Sequence, residues 1–172
     1  MTTIVTFRLD TGIIESLKRH AQQQGISLNA LVNHILSKFV RWDMYEKKAG
    51  MIPLPRPLLM KIFDMLDDEE IAELATWMGK SIIPEIILFM EGNINKDSII
   101  TWLEKRLSDV FEMRHVSDPN NNNDIIIIKH DLGKKWSLFH KILFTTIFNE
   151  LLDVRVNVKF DNNIILLSLY WR

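Results

Sequence analysis

Cysteine is absent from the 172-residue chain, which excludes a disulfide framework and a thiolate metal centre and fits a reducing, cytoplasmic setting. Long apolar runs are missing too. The most apolar window, residues 82–90, is interrupted by Pro84 and Glu85 and is too short to span a bilayer, and no signal-peptide pattern is present, so no membrane partner is expected. Glycine is scarce at six residues, placed where helices end or turns are needed. With no Gly-rich phosphate loop, nucleophile elbow or HExxH, neither an enzyme nor a cofactor is expected. A strong net charge is also lacking, at −1 overall, which by itself argues against nucleic acid. The distribution argues differently: residues 1–50 hold seven of the 21 Lys/Arg and four of the 22 Asp/Glu, giving +3 there and −4 in the remainder. A modest basic end of this kind suffices for a few phosphate contacts.

The basic end has a distinct pattern. In residues 4–10, IVTFRLD, apolar Val5, Phe7 and Leu9 alternate with Thr6 and Arg8, and period two predicts a strand with one apolar and one polar face. Asp10 is an N-cap for a helix carrying Ile13, Ile14, Leu17 and Ala21 at helical spacing, with His20 at its edge. Gly25 ends that helix. Ser27 caps a second one, whose stripe is Leu28, Leu31, Val32, Ile35, Leu36 and Phe39. No strand pattern follows in the next eighty residues to pair with the first, so its backbone groups need a partner, and another copy of the chain supplies one.

This order of strand, Asp-capped helix, glycine turn and Ser-capped helix resembles the ribbon-helix-helix family of DNA-binding proteins without a gap, over roughly a quarter of the chain. The resemblance implies a swapped homodimer, or a higher even oligomer. Two strands pair into an antiparallel ribbon whose apolar face, Val5, Phe7 and Leu9, packs on the helices, and the other face enters the major groove of double-stranded DNA. It implies base contacts by Ile4, Thr6 and Arg8, with Arg8 matched to the O6 and N7 acceptors of guanine. It implies phosphate contacts at the start of the second helix, Ser27, Leu28 and Asn29. Ile4 and Asn33 depart from the family pattern, which usually has a polar residue at the first place and often a basic one at the second. A dimeric, sequence-specific transcriptional regulator is the expected function. The alternative is an antitoxin or partition-type interaction protein whose C-terminal part binds another protein.

A charged run and three prolines, Pro53, Pro55 and Pro57, read as a stiff linker over residues 47–57, separating a DNA-binding domain at 1–46 from a C-terminal domain at 58–172. The pair Lys47 and Lys48 reads as a solvated helix end that could also touch phosphate. Helical spacing dominates from Leu58 to Leu107, with Leu58, Leu59, Ile62, Phe63 and Leu66 as one stripe, a capping box at Asp67 and Glu70, and a break or kink at Gly79 and Pro84. The last third alternates around Phe111 to His115 and turns at SDPNNNND. It then runs through IIIIK, a β-branched segment of the kind buried on both faces. A long helix capped by Asp131 follows, and then VRVNVKF and IILLSLYW across a DNN turn. The expected fold is therefore α+β: a ribbon-helix-helix, a helical middle, and a strand-strand-helix-strand-strand sheet domain.

His115, His130, Asp131 and His140 are the one grouping with metal-binding chemistry. The ten-residue gap between His130 and His140 is not one that a helix face enforces, so the reading is a capping Asp and partly buried imidazoles, with no metal. The nickel-responsive members of the resembled family use His and Cys, and no Cys is present here. Residues 58–172 are expected to take a protein partner or a small effector, or to oligomerise.

Overall fold

The computed structural model describes residues 3–46, 48–108, 110–118, 120, 122–152 and 154–171. It divides into two compact units, Met1–Glu46 and Lys47–Arg172.

The first unit is helical. α1 (Thr11–Gln24) begins where Asp10 Oδ1 accepts from the Gly12 N–H at 2.8 Å and ends at Gly25, whose φ of 66° is the left-handed conformation glycine adopts at little cost. α2 (Leu28–Lys38) begins where Ser27 Oγ accepts from the Ala30 N–H at 3.1 Å. It runs on through a π-helical turn, Phe39–Asp43, into the short α3 (Met44–Glu46). Lys38 and Asp43, five residues apart, pair at 2.6 Å across that turn, the spacing a π turn brings into line. Among the described residues here, Ala21, Leu31 and Trp42 are the buried apolar ones. Residues 4–10, expected as a strand, have no regular structure within the single chain. No backbone hydrogen bond joins residues 3–9 to another described residue. A strand is defined by its ladder, and no described residue of the chain offers these residues one.

The second unit packs helices and an antiparallel sheet. α4 (Arg56–Met65) starts with Pro57 in its first turn, where a missing N–H costs nothing, so the helix claims the last two residues of the expected linker. Lys47, the other end of that linker, lies outside the described residues. α5 (Asp68–Trp77) opens on the Asp67–Glu70 capping box, both bonds of which form. Where a break or kink is expected at Gly79 and Pro84, the helix widens into a π-helical turn, Met78–Ile82, that leads directly into α6 (Ile83–Glu91). The proline ring would collide with the carbonyl four residues back in a regular helix, and the wider turn relieves this. α7 (Lys96–Leu107) has its own capping box, Asn95 with Ser98.

The strands β1 (Glu112–Asp118) and β2 (Asn123–Lys129) precede α8 (Gly133–Leu152), and β3 (Arg155–Phe160) and β4 (Ile164–Tyr170) follow it. All neighbours are antiparallel in the order β1-β2-β4-β3. Pro119 and Asn121 of the expected turn lie outside the described residues. The core forms where Ile126, Ile128, Ile165, Leu167 and Leu169 meet the face of α8 bearing Phe144, Ile147 and Phe148. The isoleucine run is not buried on both faces. Ile126 and Ile128 point inward while Ile125 is exposed, because the sheet has α8 on one side only. Asp131 does not cap α8 either. The Gly133 N–H donates to Asn163 Oδ1 at 3.1 Å, and Asp131 pairs with Arg56 at 2.6 Å. On the far side of α8, Gly79 is so close to Thr146 that a β-carbon there would lie 2.9 Å from its Cγ2. No helix among the described residues is long and apolar enough to cross a membrane.

Candidate nucleic-acid interface

Ile4, Thr6 and Arg8 all lie exposed on the segment ahead of α1, with Ile4 97% accessible. So do Val5, Phe7 and Leu9, at 63, 60 and 48%. Three large apolar side chains at period two are thus left in water. At full burial they are worth roughly 1.5–3 kcal/mol each.

Ser27, Leu28 and Asn29 sit together on the first turn of α2. Ser27 Oγ takes the Ala30 N–H and the Ser27 carbonyl takes that of Leu31. The Leu28 and Asn29 N–H groups donate to no described residue, and they point out of the helix start, where an anion is favoured. Asn33 is turned along the helix, its Nδ2 donating to the Asn29 carbonyl at 3.1 Å.

The second unit holds a polar cluster of a different kind. Asp124, 1% exposed, accepts from His115 Nε2 at 2.9 Å and Lys96 Nζ at 3.1 Å, and from Trp171 Nε1. His115 Nδ1 donates to Glu104 Oε1 at 2.8 Å. Burial alone would raise the Asp124 carboxyl; hydrogen bonds from Ser117, His115, Lys96 and Trp171 outweigh it and hold the group at about 2. Burial likewise opposes charge on His115, but its bonds to Glu104 and Asp124 and their negative charge raise it above its ordinary value. An imidazolium between two carboxylates therefore braces α7 to β1 and β2. The alternation of β2 carries a signal for this site. Asp124 is in phase with inward-facing Ile126 and Ile128, so its carboxylate had to find partners in the interior.

The other two histidines of this unit, His130 and His140, are buried. The Leu132 N–H donates to His130 Nδ1 at 3.1 Å, so Nε2 carries the proton and donates to Ser137 Oγ at 2.8 Å. His140 Nδ1 donates to the Trp136 carbonyl at 3.1 Å, and the ring lies 4.4 Å from that of Trp136. Burial lowers both, His140 to about 3, so both are neutral. Among the described residues no three His, Asp or Glu side chains are grouped as a metal site. Comparison of the chain with known family models and with curated proteins finds no match.

Proposed function

We propose that the chain is a dimeric DNA-binding regulator in which residues 4–10 of two copies pair as an antiparallel ribbon and read the major groove of a duplex. The observation that carries this reading is the exposure of Val5, Phe7 and Leu9 on a segment without backbone partners, directly before two capped helices hinged at Gly25. Pairing with a second copy satisfies the backbone and buries these three together with the exposed Ile35, Leu36 and Phe39 of the α2 region. The opposite face then offers Arg8 and Thr6 to base edges and Ile4 to thymine methyls. The free N–H groups of Leu28 and Asn29 take a backbone phosphate and fix the register. A cytoplasmic homodimer, or a higher even oligomer, binding rather than catalysing, is the whole of this reading. The alternative, an interaction protein gripping a partner through residues 58–172 while the ribbon holds DNA, draws support from the open sheet face described below.

The test separates readout from folding. Arg8→Ala should remove a contact of about 1–3 kcal/mol per half-site and relax sequence preference while leaving the dimer intact. It is measured by titration against an operator selected from genomic fragments and a scrambled duplex. An Arg8→Ala protein that binds both duplexes as the parent does would remove the ribbon as the reading head.

A further inference from the structure

The sheet has one face covered by α8 and one open, and the register defines what the open face carries. Val116 pairs with Ile125, and Ile127 with Leu166. Two residues along their strands separate Ile125 from Ile127 and Leu166 from Ile164, so these five side chains form one diagonal aliphatic band. Val116 is 58% and Ile164 44% exposed. The band is flanked by cations on both sides. Arg114 and Lys129 lie toward β1, and Lys159 and Arg155, paired with Leu166 and Tyr170, lie toward and on β3. Lys129 meets Glu112 at 3.4 Å, whereas Arg114, Arg155 and Lys159 have no carboxylate within ion-pair distance among the described residues. This gathering of unpaired cations stands in the half of the chain that is acidic overall, with fourteen Lys/Arg against eighteen Asp/Glu after residue 50.

The structure assigns this face as a docking site for an amphipathic helix of a partner protein, apolar along one stripe and acidic on both flanks. Arg114 and Lys159 occupy the same cross-strand row, on β1 and β3. Three strand spacings put their backbones about 14 Å apart, the width that seats a helix of about 10–12 Å diameter with a cation on either side. A second copy of the face is a poor occupant, because its surplus of Arg and Lys over Glu112 and Asp118 would meet the same surplus. Single-stranded nucleic acid needs ring faces for its bases, and the centre of this face is aliphatic, with Tyr170 only at its corner. The assignment stands independently of the ribbon.

The experiment uses the full chain with labelled Ile, Leu and Val methyl groups and three probes. They are a synthetic helical peptide of about 18 residues with a leucine stripe and glutamate flanks, the same peptide with lysine for glutamate, and an oligonucleotide of about 20 unpaired bases. The acidic peptide is expected to shift the Val116, Ile125, Ile127 and Leu166 methyls and to leave Ile126 and Ile128 unmoved. Paired Arg114→Glu and Lys159→Glu substitutions, both at exposed positions, are expected to weaken it about tenfold without changing the melt. No shift with the acidic peptide at about 1 mM overturns the assignment. So does an equal response to the lysine peptide, or a response of these methyls to the oligonucleotide in place of the peptide.

Discussion

The two units differ in how far each completes its own interior. The second closes a core between α8, the helices before it and one face of the sheet, with Ile71, Ile99, Phe148 and Leu167 fully buried. In the first, the apolar residues buried are Ala21, Leu31 and Trp42, while Ile13, Ile35 and Phe39 stay exposed alongside the apolar side of residues 4–10. Both regions are amphipathic by sequence. What separates them is whether the apolar faces meet within one chain, and a segment of about forty residues has too little surface to bury alone. If the first unit completes its interior with a second copy, as proposed, its stability should depend on protein concentration where that of the second does not.

Substitutions can sharpen the contrast. The largest effect is expected from Phe7→Ala, which removes a side chain that is exposed in one chain and would be central in the proposed ribbon. It should cost about 3–5 kcal/mol per chain and abolish the melting transition of the first unit while the second melts as before. Next is Asp124→Ala in the second unit. Leaving His115, Lys96 and the Trp171 N–H without their shared acceptor should cost about 3 kcal/mol in urea unfolding, with no dependence on protein concentration. Gly79→Ala is expected to cost about 1–3 kcal/mol by driving a methyl into Thr146, and Thr146→Ala should recover part of it.

The most gradual change is a slope. Because His140 is held neutral down to about pH 3 when folded and protonates near 6.5 when unfolded, the unfolded chain binds more protons between these values. The His140 contribution to the stability of the second unit should be fullest above pH 6.5 and fall by up to about 1.4 kcal/mol per pH unit below it, a slope that His140→Leu should flatten. His115 acts in the opposite sense. Its raised value gives stability that is present in full below 6.5 and lost as pH rises through the folded value, so His115→Gln should remove a fall in stability above 6.5 and leave the slope below it little changed.

Much of the second unit was legible because its signals are local. The capping box at Asp67, the stripe of Ile99, Ile100, Leu103 and Leu107, and the order of strands about α8 all follow from spacing within a few residues. The misreadings arise where a distant partner decides. Asp131 stands where a cap is expected, yet Arg56, 75 residues earlier, takes its carboxylate. The isoleucine run has the composition of a doubly covered strand, but one face of the sheet is left open. The Glu104–His115–Asp124 brace joins three elements; the phase of Asp124 with Ile126 and Ile128 marks it as inward-facing, but no spacing along the chain names its partners. Residues 4–10 are a further case of a partner beyond local reach. Their alternation is plain, but a strand exists only with its partner, and no described residue of the chain pairs with them.

That claim is tested most directly by sedimentation equilibrium and circular dichroism of residues 1–50 across a range of concentrations. The expected result is a dimer that is folded, with helix content lost as dilution dissociates it, since folding and pairing are one event. A fragment that stays folded as a monomer at micromolar concentration would contradict the account.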